Sequence, residues 1–174
     1  MKTLLASVIS LFRYFSPLFI RYLASHKFFN IWEYNFSMKY PIKGSCQCGQ
    51  VTYLLNDKPK VVWACHCTEC QKLSTSPFSV TAVIDSNTIE FQGELMQWSR
   101  LANSGNTNIA KFCPLCGNRV YHYNPDDLAT IKLKLKPVNL TDSSIFKPSA
   151  HIWVSEKQGW YDIPEGVNVF ENQP

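Results

Sequence analysis

The sequence has little charge, no low-complexity segment and no basic stripe. Charged residues make up 17% of the 174 residues and apolar residues 45%, which is a globular composition rather than a disordered one. Residues 38–174 carry thirteen basic and twelve acidic side chains, which leaves a net charge of +1. We therefore expect no nucleic-acid partner, because such binding depends on clustered positive charge.

The first 37 residues lack cysteine, glycine and, before Glu33, any acidic residue. The apolar run from Thr3 ends at Arg13 without a nearby small-residue cleavage site, which argues against a secretory signal. Arg13 and Pro17 together argue against a membrane-spanning helix. We predict a cytoplasmic protein with an inert or mis-started extension at 1–37, for which a helix is one interpretation, and a domain at 38–174. Membrane contact through residues 1–37 is the less favoured alternative.

Short, evenly spaced strand patterns follow Gly44 and predict a mainly β domain. Eight segments combine β-branched or aromatic residues with flanking turn residues: 50–55, 61–65, 78–84, 88–92, 109–113, 119–123, 129–135 and 150–154. Residues 129–135, "ATIKLKL", alternate strictly between apolar residues and lysines. This alternation predicts that Lys132, Lys134 and Lys136 lie on a solvated strand face. One or two helical turns are expected after Cys67.

All seven cysteines lie in three clusters: Cys46 and Cys48, then Cys65, Cys67 and Cys70, then Cys113 and Cys116. The odd number and the lack of a convincing signal peptide argue against a disulfide framework. The motif "CPLCG" is typical of a zinc-binding turn, and two cysteines two apart on an extended segment share one face. We predict that Cys46, Cys48, Cys113 and Cys116 bind one structural zinc ion.

The remaining cysteines, Cys65, Cys67 and Cys70, lack an obvious fourth partner. If Cys65 and Cys67 lie on one side of an extended segment, His66 lies on the other. Three protein ligands leave a zinc ion with an open position, which is typical of catalytic sites. We predict a second, catalytic zinc ion here. A closed second site with another ligand, and a redox-sensitive cluster without metal, are the alternatives.

Three thiolates and one Zn²⁺ ion sum to a charge of −1. Such a centre is better suited to holding a substrate thiol as the thiolate than to generating hydroxide. A thiol that adds to a small aldehyde fits this chemistry.

Four motifs, in this order and at these spacings, resemble the family of glutathione-dependent formaldehyde-activating enzymes, whose domain is shared with centromere protein V. They are "GSCQCGQVTY", "ACHCTECQKLSTSPFSV", "SGNTNIAKFCPLCGNRVY" and "FKPSAHIWV…GWYDIP". The resemblance implies a small zinc-stabilised β-sheet domain with two zinc ions placed as above. It also implies carbon–sulfur lyase activity, with glutathione and formaldehyde as substrates of an S-(hydroxymethyl)glutathione synthase-like reaction. The chain differs from the common family pattern at Gln71, where arginine is frequent, and at Ser74-Thr75-Ser76, where Ser-Gly is frequent. It also has "LKPVNLTD" in place of a common Gly-Thr-Leu-Asp-like turn.

Several other residues are candidates for the site or for the core. His151 could be an acid–base group, although a hydrogen-bonded structural histidine is the simpler interpretation. His122 is expected on an exposed or hydrogen-bonded strand face. Four aromatic residues could form walls of a pocket or part of the core: Trp63, Phe78, Trp153 and Trp160. Arg100, Lys111 and Arg119 could contact substrate carboxylates or lie in solvent. The alternative function is a non-catalytic zinc-stabilised binding module, and the sequence indicates no oligomeric state.

Overall fold

The computed structural model describes residues 40–102, 104–137 and 139–174. The predicted extension at 1–37, its proposed helix and its boundary with the following domain lie outside the described residues. Within them, no helix is long and apolar enough to cross a membrane.

The described residues are mainly β, as predicted, and form two sheets. The smaller sheet has the order β1-β2-β5, with β1 at Ile42–Ser45, β2 at Thr52–Leu55 and β5 at Ile89–Gln92. The larger sheet has the order β11-β10-β3-β4-β9-β8-β7-β6. Its strands are β3 (Val61–Cys65), β4 (Ser79–Asp85), β6 (Met96–Leu101), β7 (Thr107–Phe112), β8 (Arg119–Asn124), β9 (Asp127–Leu133), β10 (Ala150–Ile152) and β11 (Asn168–Phe170).

All eight predicted strand segments contain a strand, and the predicted turn after Cys67 is the helix α1 (Thr68–Ser74). Three short 3₁₀ turns, at Ser86–Thr88, Ser144–Phe146 and Val154–Glu156, complete the regular structure of the described residues. Strands β1, β6 and β11 were not predicted.

The main core lies between the two sheets, because each sheet supplies apolar side chains to one cluster. Tyr53 and Leu55 of β2 are buried with Ile84 of β4 and Leu133 of β9. The Tyr53 hydroxyl also donates a hydrogen bond to the Leu135 carbonyl at 3.0 Å, which ties the small sheet to the end of β9. The alternation in β9 therefore places Ile131 and Leu133 in the core, as predicted.

Strand β10 is unusual because it pairs in parallel with both of its neighbours, β3 and β11. His151 lies opposite Ala64, and Ile152 lies opposite Cys65. This register brings the end of the chain beside the segment Cys65–Cys70, where three of the seven cysteines lie.

Gly93, in the turn between β5 and β6, gives a test of the packing between the small sheet and the segment after Cys48. Its φ is +96°, and a Cβ atom there would clash with the carbonyl oxygen of Gln50. Gly166 also has a positive φ, +76°, but a Cβ atom on it would meet no described atom within 4 Å. We expect Gly166→Ala to cost about 1–2 kcal/mol of unfolding free energy from backbone strain alone. Gly93→Ala should cost about 1–3 kcal/mol more, because overpacking is added to the strain.

Urea denaturation of both variants beside the parent protein measures these costs. Equal costs for the two substitutions would show that the Gln50 carbonyl moves away without penalty.

Candidate metal centres

Four cysteine side chains from two distant turns converge at one end of the small sheet. The Sγ atoms of Cys46, Cys48, Cys113 and Cys116 all lie within 4.8 Å of one another. The Cys46–Cys48 Sγ distance is 3.5 Å and the Cys48–Cys113 distance is 3.7 Å. Cys46 and Cys113 are buried, and Val51 and Val120 pack against them. This cluster could hold a zinc ion.

The segment Cys46–Cys48 is a turn and not the extended segment assumed from its spacing. The Gly49 amide donates a hydrogen bond to the Cys46 carbonyl at 3.0 Å, and the φ of Gly49 is +80°. The Cys113–Cys116 turn is built in the same way, with the Gly117 amide on the Cys113 carbonyl at 3.0 Å and a φ of +70°. A Cβ on Gly117 would meet no described atom within 4 Å, so this glycine is needed for its left-handed conformation and not for close approach of another group.

Asn118 joins the two turns and was missed in the sequence. Its Oδ1 atom accepts a hydrogen bond from the Gln47 amide at 2.7 Å. Its own backbone N–H, together with that of Cys48, lowers the pKa of the Cys116 thiol to about 6. These amides favour the thiolate, which is the form that binds metal.

Cys65, Cys67 and Cys70 form a second cluster, with Sγ atoms within 4.8 Å of one another. Cys65 ends β3, Cys67 is the N-cap of helix α1, and Cys70 lies in the first turn of that helix. No fourth His, Cys, Asp or Glu among the described residues joins this cluster. Hydrogen bonds from Cys65 and Cys67, and the nearby Lys134 ammonium, hold the pKa of the Cys70 thiol far below its ordinary value.

His66 is not part of the cluster, as the alternation predicts. It is fully buried, and its Nε2 atom lies 2.8 Å from Nδ1 of His151, with one of the two nitrogens donating. The imidazole packs between Phe78 and Tyr161, with ring centroids 5.3 and 5.5 Å away. His151 is therefore a hydrogen-bonded structural residue in this geometry. The sequence did not predict that His66 is the hydrogen-bond partner of His151, or that Tyr161 packs against His66.

The three-cysteine cluster lies in the wall of a cavity of about 490 Å³. Two of the candidate aromatics, Trp63 and Trp153, line the cavity, and so do Arg100 and Arg119. Phe78 packs on the histidine pair instead, Trp160 is 70% exposed, and Lys111 lies outside the cavity, where it donates to Gln97 Oε1 at 2.7 Å.

The expectation that the lysines of 129–135 face solvent was wrong for this face of β9. Lys132 and Lys134 line the cavity. The Lys134 ammonium donates to Cys70 Sγ at 3.5 Å and to Ser79 Oγ at 3.2 Å. Lys136 donates to the Val80 carbonyl at 2.8 Å, and burial lowers its pKa to about 8. Alternation identified the residues that share a face, but this face of β9 lines the cavity instead of the outer surface.

His122 was expected on an exposed or hydrogen-bonded strand face, and it lies on strand β8 without being exposed. It is only 9% exposed and lines the same cavity. Burial, with the positive charge of Lys134 as a second cause, holds its pKa well below the ordinary value, so the imidazole is neutral at pH 7.

Residues 41–156 match the family described as glutathione-dependent formaldehyde-activating enzyme. The chain belongs to this family. Its name denotes an enzyme that acts with glutathione and formaldehyde. Among solved structures, the crystal structure of a Rhodobacter sphaeroides protein is similar with a TM-score of 0.40 and 14% identity, covering 74% of this chain and 99% of that one. No curated protein matches the chain.

Gln71 holds the cysteine loop through its side-chain amide. Gln71 Nε2 donates to the carbonyl oxygens of His66 at 2.6 Å and of Glu156 at 2.8 Å. Gln158 Nε2 donates in turn to Gln71 Oε1 at 2.6 Å. The Glu156 carboxylate accepts from the Thr68 amide at 2.6 Å and so caps helix α1.

Only two described non-glycine residues have a positive φ, one at the C-cap of helix α1 and one packed against the second cluster. Thr75, with a φ of +48°, follows helix α1, and Trp153, with a φ of +57°, lines the cavity. A β-branched residue in this region is strained. Strain of this kind tends to occur at functional sites, where the surrounding structure imposes it.

Gln71 should control the metal affinity of the three-cysteine cluster. Gln71→Ala removes the donor that fixes the His66 carbonyl between two of the cysteines. We expect an affinity for Zn²⁺ or Co²⁺ about 10- to 100-fold lower at this cluster, as for other residues that orient metal ligands. Chelator competition monitored by cobalt–thiolate absorbance measures it.

The matched control is Gln97→Ala, an exposed glutamine on β6 that makes no contact with the cluster. The affinity of the four-cysteine cluster serves as an internal reference in each variant. If Gln71→Ala and Gln97→Ala bind metal alike, the amide does not position the loop.

Proposed function

We propose that this protein is a zinc-dependent carbon–sulfur lyase that forms or cleaves the adduct of a thiol and a small aldehyde, like an S-(hydroxymethyl)glutathione synthase. The proposal rests on one observation above all. Three cysteine sulfurs meet in a cavity wall, and no described His, Cys, Asp or Glu side chain completes the set. The family match, whose name includes glutathione and formaldehyde, supports the same chemistry.

The cysteine geometry fits zinc at both clusters. A tetrahedral zinc ion with Zn–S bonds of about 2.3 Å separates its sulfur ligands by about 3.8 Å. The sulfur distances of 3.5 and 3.7 Å in the first cluster are close to this value, and both clusters keep their sulfurs within 4.8 Å. We assign a structural zinc ion to Cys46, Cys48, Cys113 and Cys116, and a catalytic zinc ion to Cys65, Cys67 and Cys70.

Zinc at the second cluster would supply a Lewis acid that keeps a bound substrate thiol deprotonated at neutral pH. In the overall reaction the thiol sulfur bonds to the aldehyde carbon. The carbonyl π electrons move to the oxygen, which receives the proton that the thiol has lost. The reverse reaction releases thiol and aldehyde, and neither direction requires an oxidant or a reductant.

The residues of the cavity have roles that follow from their positions. The Lys134 ammonium, held by Ser79 Oγ, lies beside Cys70 and offsets the negative charge of the thiolates. All three of its hydrogens have acceptors, namely Cys70 Sγ, Ser79 Oγ and Thr81 Oγ1, so its positive charge rather than a free donor would stabilise an oxygen that gains charge in the cavity. The indole rings of Trp63 and Trp153 reduce the access of water to the same space.

The first test concerns the four-cysteine cluster, which should be required for folding. Structural zinc in small domains contributes about 10–16 kcal/mol, as much as the whole stability of a typical domain. We expect Cys113→Ser to lose the β-sheet circular dichroism spectrum of the parent protein, and the parent to lose it on treatment with a strong chelator. A variant with a native spectrum that chelators leave unchanged would contradict the assignment.

The second test concerns the three-cysteine cluster, where Cys67→Ser should remove activity but not the fold. Serine is a favourable N-cap residue, so helix α1 should keep its start. We expect the variant to bind one zinc ion instead of two and to lose the acceleration of adduct formation between glutathione and formaldehyde, followed by NMR above the uncatalysed rate.

Unchanged acceleration by Cys67→Ser would exclude the proposed site. A parent protein that binds two zinc ions but accelerates no thiol–aldehyde reaction would favour the alternative, a zinc-stabilised binding module.

A further inference from the structure

The cavity beside the three-cysteine cluster is rich in positive charge. Five cationic residues line it, against two acidic ones. The cationic residues are Lys72, Arg100, Arg119, Lys132 and Lys134, and the acidic residues are Glu69 and Asp127. Even with a charge of −1 at a zinc-loaded cluster, the walls keep an excess of positive charge. Because residues 38–174 have a net charge of only +1, this concentration is local to the cavity.

Most of these cations have no carboxylate partner among the described residues. Lys72 pairs with Glu69 at 2.8 Å, and the only other ion pair in that part of the chain joins Lys60 and Asp85, outside the cavity. The second acidic group of the wall, Asp127, accepts a hydrogen bond from Thr130 Oγ1 at 2.8 Å. The Asp127 carboxylate therefore has its hydrogen-bond partner within its own segment of the chain.

Arg119 is half-buried and its side chain makes no hydrogen bond to a described residue. Lys132 shares these features, but the nearby Asp127 carboxylate raises its pKa and partly offsets its burial, whereas no carboxylate acts on Arg119. Burial lowers the pKa of the Arg119 guanidinium, and the charge of Arg100, which lines the same cavity, lowers it further. A guanidinium carries five donors in a planar fork that matches a carboxylate. A half-buried, unpaired guanidinium in a wall with an excess of positive charge is costly unless an anion binds there.

The two arginines reach the cavity from different strands. Arg119 begins β8 opposite Phe112 of β7, and Arg100 lies on β6 opposite Asn108 of β7. Their backbones are thus four residues apart along β7, about 13 Å, and two strand spacings apart across the sheet, about 10 Å. An extended ligand that carries its carboxylate away from its thiol could contact the arginines while its sulfur lies at the three-cysteine cluster.

We propose that Arg119, assisted by Arg100, is a specificity-determining residue that binds a carboxylate of the substrate, so that the cavity selects carboxylate-bearing thiols over neutral ones. This inference rests on the proposed function, since it concerns the substrate of the same site. Glutathione, with two carboxylates, belongs to the selected class. A charge-neutral thiol of the same shape does not.

The test compares glutathione with its diethyl ester, which keeps the thiol and neutralises both carboxylates. Binding to the zinc-loaded protein is measured by quenching of tryptophan fluorescence, because Trp63, Trp98 and Trp153 line the cavity. We expect the parent protein to bind glutathione about tenfold or more tightly than the ester, as for the loss of a hydrogen bond between charged groups. Arg119→Gln should weaken glutathione binding by about the same factor and change ester binding less than about twofold.

Lys111→Gln is the matched control, since it removes one positive charge from the neighbouring strand β7 outside the cavity. It should leave the ratio of the two affinities at the parent value, whereas Arg119→Lys should restore part of the preference for glutathione.

If Arg119→Gln weakened the binding of both ligands to the same extent, the residue would have a structural role and the inference would be overturned. Equal binding of acid and ester by the parent would overturn it as well, while leaving the lyase proposal intact. If the zinc-loaded parent bound neither ligand and accelerated no adduct formation, the proposed function itself would fail, and the subsite with it.

Discussion

Strand β10 pairs in parallel with β3, and through this pairing the last third of the chain reaches the three-cysteine cluster. The register sets Ile152 opposite Cys65, so the Ile152 carbonyl accepts a hydrogen bond from the His66 amide at 2.9 Å. The His151 imidazole also forms a hydrogen bond with the His66 imidazole. The chain then turns and brings Glu156 to the start of helix α1. The cysteine loop is thus held by its backbone, by a buried imidazole pair and by a capped helix. The cluster can present its sulfurs to the cavity because these contacts fix it from the opposite side.

Titratable groups are buried beside the three-cysteine cluster, and most of them have a neighbour or a protonation state that offsets the cost of their burial. Buried ammonium and imidazole groups beside a cysteine cluster cost desolvation energy. Lys134 is compensated by Cys70, which is itself stabilised as the thiolate, and by the hydroxyl of Ser79. His122 avoids the cost by remaining neutral. Arg119 has no such compensation from the described residues, which makes it the part of the wall that most requires a ligand.

The strands and the cysteine sets could be predicted from the sequence because each depends on local spacing. Strand β6 escaped prediction because five of its six residues are exposed, so burial imposes no alternation on "MQWSRL". Strand β11 has three residues, all exposed, and β1 includes a glycine.

The wrong prediction for Lys132 and Lys134 has a different origin. Alternation states which side chains share a face, but only the tertiary fold determines that this face of β9 lines the cavity beside the three-cysteine cluster. For the same reason, the contacts of Asn118, Gln71 and Glu156 could not be predicted from the sequence, because each has a partner between 71 and 88 residues away.

The different chain separations within the two clusters explain why one can be closed and the other open. Cys48 and Cys113 are 65 residues apart, so a metal shared by their cluster restricts a long loop of the unfolded chain. Restricting a loop of that length stabilises the folded state considerably. The segment Cys65–Cys70 spans only six residues, and a metal there restricts almost nothing that helix α1 and the β3–β10 pairing have not already fixed. A fourth protein ligand at the second cluster would therefore add little stability. Under the proposed function, that position would take a substrate thiol without weakening the fold, and the long-range cluster would hold the structural zinc ion.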